Sequence, residues 1–256
     1  MKDIRRALKK FAPMFLDARE ASLNEADTVL RLCKFFEDVL EYDAIEDISR
    51  EANLKNKFVD ICLKTDGKVR LLVEAKASAV PLRDRHIEQA QSYASHNNYP
   101  WVLLTNGVEW NLYHLSFGDG IDYQLAFSVS LASASNLDLA AERLALLHKS
   151  AIRKGILEYF WETATALSAG SVGKSLFTES VLMVLRRQVR KDSGILVDHE
   201  ELAEKLHQML TVESREEIGP MRIRRKRKSA GSSSSPATGS KPSNAKSLRG
   251  CTVPNH

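Results

Sequence analysis

Three charged residues interrupt two segments that otherwise have the pattern of buried β-strands. Asp60 lies within Phe58-Val-Asp-Ile-Cys-Leu63, and Glu74 and Lys76 lie within Leu71-Leu-Val-Glu-Ala-Lys-Ala77. An ionised carboxylate is strongly disfavoured on burial unless it is paired or binds a cation. Two carboxylates beside an ammonium suit phosphodiester hydrolysis. The carboxylates would hold Mg²⁺ or Mn²⁺, and the lysine would position the attacking water and offset charge on the transition state.

Strand geometry predicts that these side chains form one site. Glu74 and Lys76 are two residues apart and therefore share a face. A three-residue loop at 65–67 would place Asp60 on that face, about 7 Å from Glu74. A two-residue turn, Asp66-Gly67, would put the two carboxylates on opposite faces of the sheet. The site interpretation therefore predicts the odd-numbered loop.

The elements that must position these residues form an α+β arrangement followed by helices. Apolar spacing predicts helices over 2–18 and 22–40, the second beginning with Ser22-Leu-Asn-Glu25, which has the spacing of a capping box. Strands are predicted over 45–50, 57–64, 69–77, 101–105, 108–115 and 123–131, with a helix over 83–97. Further helices are predicted near 137–149, 151–168, 175–191 and 198–211. The predicted domains are 1–132, a helical region 133–218 and a tail 219–256.

Charge is distributed unevenly along the chain. The 256 residues carry a net charge of +4, but residues 219–256 contain nine basic and no acidic side chains. Residues 1–218 therefore hold 28 basic and 33 acidic side chains, a net charge of −5. The basic tail, whose composition predicts disorder, is thus the source of the positive charge. The net charge alone is not evidence that the folded part attracts DNA.

Several classes of protein are excluded by the sequence pattern. No stretch approaches the roughly 18 apolar residues of a membrane span, and the N-terminus lacks the apolar region of a secretory signal. Cys33, Cys62 and Cys251 form no CxxC or Cys/His cluster, which argues against structural zinc and against a disulfide framework. Residues 169–175 imitate a phosphate-binding loop without its first glycine, so no ATP binding is expected. We expect a cytoplasmic protein.

The charged residues also carry a family resemblance. Asp60, thirteen further residues and then Glu74-Ala-Lys76 resemble the signature of the PD-(D/E)xK nucleases, with Val59 in place of the proline. The flanking segments extend the resemblance to the N-terminal nuclease domain of type I restriction enzyme R subunits. These segments are Asn24-Glu-Ala-Asp-Thr28, Gln89-Ala-Gln-Ser-Tyr93 and the run from Trp101 to Tyr113. The resemblance covers about residues 20–130 and implies a restriction-endonuclease-like core, a mixed β-sheet flanked by helices.

The resemblance implies roles for individual residues. Asp60 and Glu74 would be metal ligands and Lys76 the catalytic lysine, with Glu25 completing the acidic cluster. Gln89 and Tyr93 would contact DNA or orient the metal site. The basic candidates for DNA contact are Lys57, Arg83 and Arg85 in the folded domain and Arg224, Arg225, Lys226 and Arg227 in the tail.

Each assignment has a plainer alternative. Asp60, Glu74 and Lys76 could form a cross-strand ion pair on a half-exposed sheet, and Glu25 could be a capping-box carboxylate. Gln89 and Tyr93, four residues apart, could simply contact each other on one helical face, and the tail could be a solvated terminus. The large aromatic residues of the 101–113 segment are expected in the core rather than stacked on nucleic acid: Trp101, Trp110 and Tyr113.

The sequence thus predicts a DNA nuclease of the restriction type that depends on Mg²⁺ or Mn²⁺. Full R subunits continue into ATP-driven motor domains, which are not recognisable in these residues. We therefore expect it to work with other protein subunits or as a homodimer through residues 137–211. The alternative is a catalytically silent module of the same fold that binds DNA or acts as a regulator in a larger complex. RNA or modified DNA as the target is a third possibility.

Overall fold

The structure is a computed structural model that describes residues 4–54, 57–118 and 120–223, without the side chains of residues 51–54, 57, 58, 84, 89, 93 and 96. The chain forms two compact units that divide between Val172 and Gly173. The described elements confirm the predicted α+β architecture. After the last strand, the described elements are all helical.

The first unit begins with two helices and then forms a sheet. The helices are α1 (Ile4–Glu20) and α2 (Glu25–Asp38), followed by strands β1 (Ile48–Leu54), β2 (Lys57–Thr65) and β3 (Lys68–Ala75). A 3₁₀ turn (Asp84–Ile87) and α3 (Glu88–Asn97) precede β4 (Trp101–Thr105), β5 (Glu109–Phe117) and β6 (Ile121–Ser130). After a second 3₁₀ turn (Ala134–Asn136) come α4 (Leu137–Ala145), α5 (Lys149–Arg153) and α6 (Ile156–Ala166).

The described strands form one mixed sheet in the order β1-β2-β3-β4-β5-β6. β3 and β4 are parallel and are joined through α3, whereas the other neighbouring strands are antiparallel. The parallel pair brings the carboxyl ends of β3 and β4 to one edge of the sheet, with Glu74 opposite Leu104 and Ala75 opposite Thr105. This edge carries the predicted site.

Alternation along the strands separates two hydrophobic cores, one on each face of the sheet. Val73 and Leu103 belong to the larger core, which also contains residues of α1, α2 and α4. Leu72 and Leu104 belong to the smaller core, which α3 covers. The larger core contains a cluster of edge-to-face aromatic rings: Phe15, Phe35, Phe36 and Trp110. Trp101, Trp110 and Tyr113 are buried, which confirms their predicted place in the core.

β1 begins later than the predicted strand at 45–50. Asp43 caps a turn by accepting hydrogen bonds from the backbone N–H groups of Ile45 and Glu46 at 2.8 Å. Ile45 is therefore 90% exposed rather than buried in a strand. The predicted strand begins too early because apolar Ile45 fits a strand pattern, whereas the hydrogen bonds that Asp43 accepts favour a turn.

The second unit contains α8 (Glu179–Ser193), α9 (His199–Met209) and α10 (Val212–Ile218), while α7 (Ala169–Leu176) crosses the division. Its small core includes Phe177, Leu182 and Ala203, against which Met221 and Ile223 pack. The described chain is thus packed beyond the predicted start of the tail at 219, and the first unit extends beyond the predicted boundary at 132. No described helix has the length and hydrophobicity that crossing a membrane requires.

Candidate active site at the edge of the sheet

Asp60 and Glu74 face each other across the β2–β3 pair. Ile61 pairs with Val73 and Cys62 with Leu72, and the same register continued by one step places Asp60 opposite Glu74. Asp60 Oδ2 accepts a 2.7 Å hydrogen bond from the backbone N–H of Ala75, which fixes this carboxylate at the end of β3. The two carboxylates therefore share a face, as the site requires.

The loop that produces this register is not the predicted three-residue loop. Thr65 pairs with Lys68 across a two-residue turn in which Asp66 and Gly67 have φ values of 51° and 72°. These positive φ values are those of a type I′ turn, which matches the twist of the strands. This turn alone would put Asp60 and Glu74 on opposite faces of the sheet. A β-bulge shifts the register by one residue, because Lys64 pairs with Val69 but Leu63 pairs with Leu71, and so returns the two carboxylates to one face. The predicted three-residue loop is wrong. The additional residue that sets the register is Arg70 in strand β3 rather than a residue of the turn.

Lys76 connects the carboxylates of two elements. Its Nζ donates to Glu74 Oε1 at 2.6 Å and to the carbonyl of Ala75 at 2.8 Å, and it lies 3.4 Å from Glu25 Oε2. Its backbone N–H donates to the carbonyl of Thr105 on β4, which holds the residue at the sheet edge. Burial alone would lower the pKa of Lys76, but the hydrogen bond to Glu74 and the surrounding carboxylates outweigh it and raise that pKa.

Glu25 is the first residue of α2 and not a capping-box residue, and its side chain reaches the Lys76 ammonium. The N-cap of α2 is Asn24, whose side chain accepts a 2.8 Å hydrogen bond from the backbone N–H of Asp27. Ser22 lies outside the helix with a φ of 51°, so the predicted Ser22–Glu25 capping box is wrong. Asn24 is a strong N-cap residue, and it leaves the first residue of the helix able to approach Lys76.

Glu74 is an acid whose pKa is strongly raised. Its side chain is buried, and its Oε2 has no hydrogen-bond partner among the described residues. Burial first, and the carboxylate of Asp60 second, raise the pKa of Glu74 from 4.5 to about 7, while Lys76 opposes both. The ionised form of Glu74 is therefore left without a stabilising partner at Oε2 among the described residues.

The donor set fits a hard cation. Asp60 and Glu74 supply adjacent carboxylate oxygens, which Mg²⁺ and Mn²⁺ prefer. A cation held by these two residues would give Glu74 Oε2 the partner that it lacks. In the part of the chain that the structure describes, no group of three or more His, Cys, Asp or Glu side chains is placed to hold a metal. Glu25 instead pairs with the Lys76 ammonium.

A cleft of about 580 Å³ opens beside these carboxylates and is lined by Glu25, Ala26, Val29, Arg50 and Asp60. Arg50, an exposed residue of β1, is not among the residues that the sequence pattern predicted for the site. Its position depends on the pairing of β1 with β2, which puts Arg50 opposite Ile61. A single sequence carries no direct signal of that pairing.

The 3₁₀ turn before α3 adds basic groups near Lys76. Arg83 and Arg85 are exposed, and the backbone N–H of Arg83 donates to His86 Nδ1 at 3.3 Å. Burial lowers the pKa of His86, and the charges of Arg85 and Lys76 lower it further, which places this imidazole within electrostatic range of the site. His86 was not predicted, because its only signal is its position after the two arginines.

Some predicted residues lie outside the described parts of the structure. The side chains of Gln89, Tyr93 and Lys57 are not described, although the backbones of α3 and β2 are. Arg224, Arg225, Lys226 and Arg227 lie beyond the last described residue, Ile223. Their roles stay predictions.

Comparison with known proteins supports the class that the fold and the site suggest, a restriction-type domain. Residues 33–125 match the family model described as the type I restriction enzyme R protein N terminus (HSDR_N). This segment of the chain resembles that domain, and it contains Asp60, Glu74 and Lys76 but not Glu25. A search of curated proteins and a search of solved structures gave no match.

Proposed function

We propose that this protein is a Mg²⁺-dependent nuclease of the restriction type that hydrolyses phosphodiester bonds in DNA. The observation that carries the proposal is the meeting of Asp60, Glu74 and Lys76 at the edge of the sheet, where Glu74 Oε2 is buried and has no partner within the described part of the chain. The similarity of residues 33–125 to a restriction enzyme domain supports the same activity.

Each residue has a distinct task in this reaction. Asp60 and Glu74 would hold the cation, which when bound polarises the phosphate and lowers the pKa of a water molecule. Asp60 is oriented by the N–H of Ala75, so its oxygen is fixed before substrate arrives. The Lys76 ammonium, held by Glu74 and Glu25, offsets the negative charge that develops on phosphate oxygens. Water oxygen bonds to phosphorus, one ester bond breaks, and the leaving oxygen takes up a proton.

Nicking of supercoiled plasmid DNA in the presence of Mg²⁺ tests the proposal. Asp60→Asn and Lys76→Met should each lower the nicking rate by about 100-fold or more. Glu46→Gln is the matched control, since Glu46 is an exposed acid in the turn before β1. Activity that survives both site variants would refute the assignment of these residues.

DNA binding in the folded part depends on local basic groups, because residues 1–218 carry a net charge of −5. Arg50 lines the cleft, and Arg83 and Arg85 lie on the turn near Lys76. These arginines would contact phosphates on either side of the scissile bond. Residues 137–211 remain the proposed surface for other subunits or a second copy, and the cytoplasm the proposed location.

A second candidate function is a catalytically silent module that binds DNA within a larger complex. It is favoured by the ligand count, because among the described residues no third acidic, His or Cys side chain joins Asp60 and Glu74, and Glu25 pairs with the Lys76 ammonium instead. Calorimetric titration with Mn²⁺ distinguishes the two functions. Binding that Asp60→Asn abolishes supports the nuclease, whereas intact DNA binding without metal binding supports the silent module.

A further inference from the structure

β6 is an edge strand whose first half is open to solvent. It pairs with β5 and has no second neighbour in the described sheet. Residues 121–125 are all exposed, so both faces of this segment are open. The outward N–H and C=O groups of such an edge can form a ladder with a strand of another chain. The first half of β6 is therefore a candidate interaction surface.

The two edge strands of the described sheet differ in how they are protected from such pairing. β1 carries the adjacent charged residues Arg50 and Glu51, and charges on an edge strand commonly prevent pairing with another chain. Residues 121–125 of β6 contain one charge, Asp122, and no lysine, arginine or proline. A β-bulge at Ala126 bends the strand beyond this segment. The unprotected part of β6 is therefore residues 121–125.

The apolar side chains of this segment lie on the face of the sheet that α3 covers elsewhere. Ile121, Tyr123 and Leu125 alternate along β6 and are between 39 and 52% exposed. They continue the smaller core, because Tyr123 pairs with Leu115 and its ring lies 5.9 Å from that of Tyr113. α3 packs mainly against β2, β3 and β4. This end of the smaller core is therefore left open to solvent.

We propose that a second copy of this chain pairs with β6 in antiparallel orientation, with Tyr123 on the two-fold axis. This axis places Ile121 of one copy opposite Leu125 of the other, so that the exposed apolar side chains meet on one face. On the other face Asp122 lies opposite Gln124, whose amide can donate to the carboxylate. Each of these pairs occurs twice, which makes the segment complementary to itself.

Neighbouring registers lack this complementarity. A shift of one residue sets side chains of opposite faces against each other. An axis at Asp122 would bring two like-charged carboxylates together, and an axis at Gln124 would place Asp122 against the bulge at Ala126. The charge and the apolar residues of the segment therefore favour one register of a symmetric pair. This pairing leaves residues 137–211 free for other subunits.

Sedimentation velocity of the full chain over a range of concentrations tests the proposal. We expect a reversible equilibrium between monomer and dimer without larger species, because the pairing uses the β6 edge of both copies. Tyr123→Lys places two ammonium groups on the axis and should raise the dissociation constant of the dimer by about 10-fold or more. Tyr159→Lys is the matched control, since Tyr159 is an exposed residue of α6, and it should leave that constant unchanged.

A charge exchange tests the register at exposed positions and leaves the apolar side chains in place. Gln124→Glu sets a second carboxylate opposite Asp122 and should weaken the dimer by about 5-fold. Adding Asp122→Lys to this variant sets opposite charges against each other and should restore the dimer. Neither measurement involves DNA or metal, so the result is independent of the proposed nuclease activity.

Three results would overturn the pairing through β6. They are a chain that stays monomeric at every concentration, a dimer that Tyr123→Lys leaves intact, and a dimer that Tyr159→Lys dissociates instead. The last result would place the interface on the helices of residues 137–211. A double variant that dimerises no more tightly than Gln124→Glu alone would overturn the register centred on Tyr123.

Discussion

At the scale of single residues, burial and charge act in opposite directions on Glu74. Burial and Asp60 favour its protonated form, whereas Lys76 favours the carboxylate. A group whose pKa is raised in the folded state binds its proton more tightly there than in the unfolded chain. Between pH 4.5 and about 7 the folded state therefore holds more protons, and stability falls as pH rises through this window.

Glu74→Gln should remove this pH dependence. The shift of the pKa from 4.5 to about 7 corresponds to about 3 kcal/mol. Relative to wild type, the free energy of unfolding of the variant should therefore increase by up to that amount between about pH 5 and pH 8. Urea denaturation without divalent metal measures the difference. Glu46→Gln is the control and should follow wild type, while parallel pH profiles for Glu74→Gln and wild type would contradict the raised pKa.

Residue patterns predicted the charged centre but not all of its surroundings. Asp60, Glu74 and Lys76 were recognisable because charges interrupt apolar strands. The sequence pattern favours Ser22 as the N-cap instead of Asn24, because two residue types that favour caps lie close together. Arg50 gave no signal, since its contribution depends on the packing of segments far apart in sequence.

At the scale of elements, the turn between β4 and β5 supports the site. Asn106 Oδ1 accepts from the backbone N–H groups of Val108 and Glu109. Asn106 Nδ2 donates to the carbonyl of Val80 at 2.9 Å, which ties the turn to the segment after Lys76. Gly107 has a φ of 87°, and a Cβ there would lie 2.4 Å from Phe15 Cδ1. The turn thus requires glycine on both conformational and steric grounds.

Gly107→Ala should lower the free energy of unfolding by about 2–5 kcal/mol, the sum of a positive-φ cost and a core clash. Gly118→Ala is the matched control, because, apart from its chain neighbours, no atom of the described residues lies within 4 Å of a Cβ at that position. Chemical denaturation of both variants gives the comparison. Equal stability of the two variants would show that the turn relaxes to accept a side chain.

The β-bulge at Arg70 in the β2–β3 hairpin can be tested by deleting single residues of β3. Deleting Arg70 should change the free energy of unfolding by no more than about 1 kcal/mol, because the remaining pairs close into a regular ladder. Deleting Val73 should cost more than about 3 kcal/mol, since it moves the Glu74 side chain to the other face. Urea denaturation distinguishes the two deletions, and similar losses of stability for both would contradict the observed register.

At the scale of the whole molecule, element types followed from periodicity, whereas boundaries and packing did not. Residues 101–105 match β4 at both ends, because an apolar run bounded by Pro100 and Asn106 leaves little freedom. The seven-residue helix α10 was not predicted, since it is too short for a helical period to be visible. The extension of the first unit to Val172 depends on α4 packing in the core of α1 and α2, which no local pattern encodes.

The uneven charge predicts how the chain binds DNA. Truncation after Ile223 removes eight of the nine basic residues of 219–256 and keeps Met221 and Ile223 in the second core. In the Lys76→Met background, the truncated protein should bind duplex DNA more weakly. The slope of the logarithm of the binding constant against the logarithm of the salt concentration should become shallower by about 0.9 for each phosphate that the tail no longer neutralises. Fluorescence anisotropy from 50 to 200 mM NaCl, about the range over which such binding weakens, measures the slope. An unchanged slope would mean that the tail binds no phosphates.

The bulge also bears on how related sequences should be compared. Thirteen residues separate Asp60 from Glu74, and one of them, Arg70, makes no contribution to the pairing of the strands. A relative with one residue fewer in this interval would keep the same two carboxylates face to face across an uninterrupted hairpin. A motif search that fixes the interval at a single length would therefore miss proteins with the same site, and the alignment gap should be placed at residue 70 rather than in the turn.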